Sequence, residues 1–242
     1  MFGFHYRLER SAIGLVAFIV LVASIGGFIE IAPLFTIDET VEIAEDMRLY
    51  TPLELAGRNI YIREGCYACH SQMIRTLRDD VDRYGPYSLA VESSYDHPQL
   101  WGSKRTGPDL ARMGNKYSDA WHVAHLYNPR DLVPESKMPA YRWLLRDQLR
   151  IDDLGGHLAA MRAVGVPYTD EQIAFATQDA YGQANPDSAE ASGVMERYGA
   201  ATNVRLFDGT GPLTDMDALV AYLQMLGTLT DVAHEEQADE VE

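Results

Sequence analysis

The first patterned stretch of the chain is apolar without a period. From Ala12 to Ile29 only Ser24 interrupts the hydrophobic run, and a bilayer needs about 20 such residues in a helix. Arg7 and Arg10 precede the run, while Glu30, Asp38, Glu39, Glu42, Glu45 and Asp46 follow it. That asymmetry predicts a cytoplasmic N-terminus, with everything downstream outside. A cleaved leader is the rival, with Leu21-Val22-Ala23 as a weak cleavage sequence. The apolar run continues past Ala23, so an uncleaved single-pass anchor is expected. Gly26-Gly27, with Gly14, permits close packing on partner helices, lipid contact alone being the alternative. The patterning divides the chain into an anchor (1–35), an acidic linker (36–50), a globular domain (51–230) and an acidic tail (231–242), the last a solvated end.

Inside the domain the patterns are helical, and the expected class is mainly α. Thr51-Pro52 reads as an N-cap with proline in the first turn. Leu53, Ala56, Ile60 and Ile62 then form an apolar face, and Gly57 allows a close helix crossing. Ser118-Asp119-Ala120-Trp121 opens a helix that stops at Asn128-Pro129. Ile151 to Val164 is helical, weakened by Gly155-Gly156. Thr169-Asp170-Glu171-Gln172 is a capping box that predicts a helix to about Tyr181. A further helix ends near Tyr198. Thr214-Asp215 caps a last helix, whose Met216, Leu219, Val220, Tyr222, Leu223 and Leu226 are expected to pack across the Leu53–Arg63 helix. Between His70 and Arg105 the chain is polar and punctuated by Asp79-Asp80, Gly85-Pro86 and His97-Pro98. Trp101, beside Gly102 and two cations, suggests a packed loop there. Arg75, Arg78 and Arg83 are read as solvating charges, with anionic partners as the alternative.

The chemistry sits in Cys66-Tyr67-Ala68-Cys69-His70, which holds both cysteines of the chain. Two thiols three residues apart, followed by histidine, is the attachment sequence of a c-type haem. The sulfurs add to the haem vinyl groups as thioethers, and His70 supplies an imidazole nitrogen to the iron. Zinc needs four ligands, and the other histidines form no close pair that completes a set. A thioredoxin-like pair should follow a strand, whereas a helical pattern precedes Cys66. A plain disulfide makes no use of His70. A metal-bound histidine usually gives its second N–H to a fixed acceptor. The Pro108 carbonyl, in Gly107-Pro108, is the candidate. For the sixth ligand, Met138 lies in a proline-framed loop, where a thioether yields a low-spin electron carrier; His122 or His125 is the alternative. Met113, Met161, Met195, Met216 and Met225 read as helix or core residues. The net charge of −16 excludes a nucleic-acid partner and permits docking to a basic protein.

Taken together, these residues resemble the mono-haem cytochrome c subunit (subunit II) of cbb3-type cytochrome c oxidases, in the C-family of haem-copper oxidases. The resemblance covers essentially the whole chain. It rests on Gly57-Arg58-Asn59-Ile60-Tyr61 before the haem motif, on Tyr84-Gly85-Pro86-Tyr87-Ser88, and on the run Tyr95 to Leu110. His125-Leu126-Tyr127-Asn128-Pro129-Arg130 and Pro134-Glu135-Ser136-Lys137-Met138-Pro139 complete it. It implies a class I cytochrome c domain, with a long insertion after the haem motif, on the outer face of a bacterial inner membrane. Cys66 and Cys69 would carry one covalently bound haem c, ligated by His70 and Met138. It further implies electron transfer from a di-haem cytochrome c subunit or a soluble cytochrome c to a large haem-copper subunit, where oxygen is reduced. A calcium ion shared with that large subunit, with Ser103 as a contact, is also implied. The competing expectation is a free-standing membrane-anchored shuttle, which has no use for the insertion at 70–105.

Overall fold

Ser11 shows how local chemistry shapes the N-terminal unit: its side chain accepts the Gly14 N–H and caps a new helix. In this computed structural model, which describes residues 2–35, 47–209 and 211–230, helix α1 (Phe2–Glu9) ends just before that cap. Helix α2 (Ala12–Ile31) follows, and a 3-10 turn closes the unit at Ala32–Phe35. No residue of α2 is buried within the chain, as expected of a helix whose apolar surface faces lipid or other subunits. It is the one helix among the described residues long and apolar enough to cross a membrane. Most of the expected acidic linker (36–46) and the acidic tail (231–242) lie outside the described residues.

The second unit is helical, with no strand among its described residues. Its framework is the pair α3 (Pro52–Arg63) and α10 (Asp215–Met225), the most extensive helix contact in the domain. Both begin with a capping box. Thr51 accepts the Glu54 N–H and the Glu54 carboxylate accepts the Thr51 N–H; Thr214 and Asp217 do the same for α10. The Glu54 side chain is fully buried yet satisfied, since Arg48 also donates to both its oxygens, at 2.7 and 3.0 Å. Burial pushes the Asp217 carboxyl up to about 6, and the N–H groups of Thr214 and Asp208 oppose the shift. At Gly57 the two helices touch backbone to backbone: a Cβ there would lie 1.9 Å from the Ala218 carbonyl oxygen. Tyr222 fills the adjacent space against Tyr61, with ring centroids 5.5 Å apart.

The remaining helices are α4 (Arg78–Tyr84), α5 (Asp119–Tyr127), α6 (Leu154–Ala163), α7 (Asp170–Ala174), α8 (Ala176–Ala184) and α9 (Ala191–Tyr198). Among them, α5, α6 and α8 pack on this pair. The helix expected to run unbroken from Thr169 to about Tyr181 is two helices, α7 and α8, separated at Phe175. Phe175 has φ −96° and ψ 7°, outside the helical well, and its ring lies under the Arg197 guanidinium, 4.7 Å from the cation. Met195 is a helix residue, as expected, exposed on α9, whereas Met113, Met161, Met216 and Met225 are buried. Core packing begins before the expected domain start, because Tyr50 is buried and Met47 and Leu49 pack against the core.

The segment between the cysteine motif and Arg105 contributes few core side chains, Ile74, Val91 and Leu100 among them. Arginines pin it instead. Arg58, on α3, donates to Asp96 at 2.8 Å and to the Pro98 carbonyl, while the Tyr50 hydroxyl donates to the same carboxylate at 2.8 Å. Arg112 donates to both oxygens of Glu92, at 2.6 and 2.9 Å. Arg75, Arg78 and Arg83 are exposed, as expected of solvating charges, and Arg75 and Arg78 also pair with Asp80 and Asp82.

The helix crossing gives a direct test. Gly57→Ala should force α3 and α10 apart and cost about 3 kcal/mol. For a domain of this size that is a fall of roughly 10 °C in melting temperature, read by circular dichroism. An unchanged melting temperature would mean that the helices slide apart freely.

Candidate functional site

Helix α3 delivers the motif. Its last turn closes at Glu64, Gly65 takes a left-handed conformation (φ 73°), and Cys66–Ala68 form a single 3-10 turn. The His70 N–H donates to the Cys66 carbonyl at 3.0 Å, which folds the motif onto itself. Cys66 and Cys69 are both free thiols. Cys66 packs against the core, and burial pushes its thiol up to about 12, with Glu64 adding to the shift. Cys69 is exposed, as is Tyr67 between them.

The loop at 101–111 runs alongside. Backbone bonds from Gln72 N to Trp101 O, Gly107 N to Cys69 O and Leu110 N to Ser71 O, at 2.9, 3.0 and 2.9 Å, lace the two segments together. This lacing brings the Pro108 carbonyl 2.8 Å from His70 Nδ1. A carbonyl only accepts, so Nδ1 carries the proton and Nε2 keeps a free lone pair. That is the tautomer a metal-binding histidine requires. Burial lowers the His70 pKa, and the Pro108 bond and the Asp109 charge act against that lowering. Gly107 lies flat against the ring: a Cβ there would sit 2.2 Å from His70 Cε1, so only glycine leaves room. Asp109 is buried and fixes the turn, accepting from the Ser71 hydroxyl at 2.5 Å, Met73 N at 3.0 Å and Ala111 N at 2.8 Å.

The Met138 loop returns toward the motif. Met138 packs partly buried against the core, and its N–H donates to Ser136 Oγ at 3.3 Å. Tyr141 N donates to the Leu126 carbonyl at 2.8 Å, which ties the loop to α5. Burial raises the Tyr141 phenol pKa, and Cys66 and Cys69 raise it further. Trp143 Nε1 donates to Glu64 Oε2 at 3.2 Å, just ahead of the motif. His122 and His125 sit on α5. His125 stacks on Trp121 at 4.6 Å, and Trp121 on Tyr117 at 4.0 Å. Both histidine pKa values are lowered by burial; His122 falls to about 4, and His70 adds to the lowering of His125. His122 Nε2 and His125 Nδ1 are buried without hydrogen-bond partners.

These residues fit a haem c. Two free thiols at attachment spacing and an imidazole with a bare Nε2 supply the donors that such a group needs on one side. Ser103 is exposed on the loop after Trp101. Among the described residues no three His, Cys, Asp or Glu side chains gather as a metal site. Gly107, Asp109, Tyr141 and Trp143 were not singled out from the sequence as supports of the site; the i, i+4 spacing of Tyr117, Trp121 and His125 was the one signal available for the stacked column.

The family model described as cytochrome c oxidase, mono-heme subunit/FixO matches residues 5–230. The match spans the apolar helix, the cysteine motif, the loop at Pro108, Met138 and α10. No curated protein matches the chain.

Gly107→Ala should rotate the His70 ring and break its 2.8 Å bond to Pro108. The purified protein should then lose the low-spin absorption of a His70-ligated haem while keeping its far-ultraviolet circular dichroism. A native spectrum in that variant would show that the ring tolerates a displaced loop.

Proposed function

The chain belongs to the cytochrome c oxidase mono-heme subunit/FixO family, and from that membership we propose that it is the membrane-anchored electron carrier of a cbb3-type oxidase. In this reading α2 holds the chain in a bacterial inner membrane with the N-terminus cytoplasmic and the helical domain periplasmic. Electrons arrive from a di-haem cytochrome c subunit or a soluble cytochrome c. They leave to the haem b and haem b3–copper centre of the large subunit, where oxygen is reduced. The observation that carries the reading is the His70 Nδ1–Pro108 contact at 2.8 Å beside the paired thiols.

Cys66 and Cys69 would hold one haem c by thioethers, and His70 Nε2 and Met138 Sδ would bind its iron. When bound, that iron supplies a one-electron ferric–ferrous couple. The chain's part is to keep the ligands fixed, so that little rearrangement accompanies the change in charge. Pro108 holds the His70 ring through Nδ1. The proline-framed loop, tied by Tyr141 to α5 and by Trp143 to Glu64, holds the thioether.

The segment at 84–105 is proposed as the dock for the large subunit. Trp101 supports this: it is 38% exposed, yet its Nε1 is fixed to Ser93 Oγ at 2.9 Å. A large aromatic side chain, oriented but uncovered, is the usual anchor of a protein contact. Ser103 is proposed as one oxygen contact of a calcium ion shared across that interface, with the remaining ligands supplied by the partner.

Two variants test the reading. Met138→Leu should abolish the weak near-infrared band of a thioether-bound ferric haem; a band present in the native protein and retained in the variant would exclude Met138. Trp101→Ala should leave the haem spectrum unchanged but reduce co-purification with a copper-containing membrane subunit and slow oxygen uptake. A disturbed spectrum with intact assembly would instead make Trp101 a cover for its own haem.

A further inference from the structure

We propose that Asp109 is a positioning residue for His70, one that fixes the Pro108 carbonyl and, balanced by Arg105, sets how electron-rich the imidazole is. The inference rests on the reading of His70 as an iron ligand. Asp109 directly follows Pro108, and its side chain is completely buried. A buried carboxylate is costly unless its oxygens are satisfied. Here Oδ2 accepts the Ser71 hydroxyl at 2.5 Å and Met73 N at 3.0 Å, while Oδ1 accepts Ala111 N at 2.8 Å. Ser71 and Met73 lie just beyond His70. The carboxylate therefore clamps the segment carrying the ligand to the segment carrying its acceptor, and the 2.8 Å distance between them follows.

The charge of this group matters as well as its shape. Asp109 acts on the His70 ring in the direction that stabilises positive charge there. A carboxylate beside a metal-bound imidazole, and a well-aligned acceptor at its second nitrogen, both make the ligand more basic. A more basic ligand favours the ferric state and lowers the potential. Arg105 opposes that effect. Its Nη2 lies 3.6 Å from Asp109 Oδ2, and its Nε donates to Ser71 Oγ at 2.8 Å. The same guanidinium donates to both oxygens of Asp80 at 2.8 Å and to the Met73 carbonyl at 3.0 Å. Arg105 thus ties α4 in the insertion to the support of the proximal ligand.

The test uses the full-length, haem-loaded protein and its midpoint potential, measured by spectroelectrochemical titration. Asp109→Asn removes the negative charge and should raise the potential. Arg105→Gln leaves Asp109 unbalanced and should lower it. Opposite shifts, with the low-spin spectrum retained, support the proposal. Shifts of the same sign, or unchanged potentials with only a lower melting temperature, overturn it, because a merely structural clamp would not respond to the sign of the charge. If Asp109→Asn fails to fold, Arg105→Gln decides alone: a fall supports the proposal, and a rise or no change overturns it. A native protein whose iron is not bound by His70 removes the parent reading and the inference with it. A normal native spectrum with wrong variant shifts removes the inference alone.

Discussion

The domain depends on how closely α3 approaches α10 at Gly57. With no side chain at that position, the α3 backbone reaches the Ala218 carbonyl, and both helices become buried along nearly their whole length. The site hangs from this contact at both ends. Helix α3 runs directly into the cysteine motif. From α10, Gln224 Oε1 accepts Asn115 N at 2.9 Å, and Gln224 Nε2 donates to the Tyr117 carbonyl and to Asp119 at 2.9 and 2.6 Å. The Tyr222 hydroxyl donates to Gln72 at 3.0 Å, two residues past His70. The loop carrying Pro108, the start of α5 and the motif are therefore registered against one helix.

The insertion is built on a different principle. It has too few apolar side chains for a core of its own, and it is held by buried or half-buried arginine–carboxylate pairs: Arg58–Asp96, Arg105–Asp80 and Arg112–Glu92. Such pairs recover little net stability, because desolvation offsets most of the attraction. Losing one partner, however, leaves a buried charge and costs about 3–5 kcal/mol. The arrangement therefore fixes one geometry more than it adds stability. A surface proposed to meet another subunit needs its shape set before contact.

The helices were legible in the sequence where their ends carry chemistry. Thr51, Ser118, Thr169 and Thr214 each cap a helix with the side chain the pattern predicts. Gly57 was legible because glycine on an apolar helix face has few other uses. The break at Phe175 was not, since it lies in an unpunctuated run and the cation over its ring, Arg197, comes from α9. The contact of His70 with the Pro108 carbonyl was legible from residue type and spacing. The supports were not: Asp109, Arg105, Tyr141 and Trp143 act through contacts spanning tens of residues, such as Trp143 to Glu64, and no local pattern encodes such a pairing.

The α3–α10 pair also orders events in time. Arg63 and Asp215 meet at 2.7 Å across 152 residues of chain. Closing so long a loop carries an entropic cost that only the completed contact repays. The chain is made from its N-terminus, so Cys66 and Cys69 exist long before α10 does. Throughout that interval the helix whose Tyr222 packs on Tyr61 and bonds Gln72 is missing. Until α10 has been made, the two thiols therefore stand on a segment whose main packing partner does not yet exist.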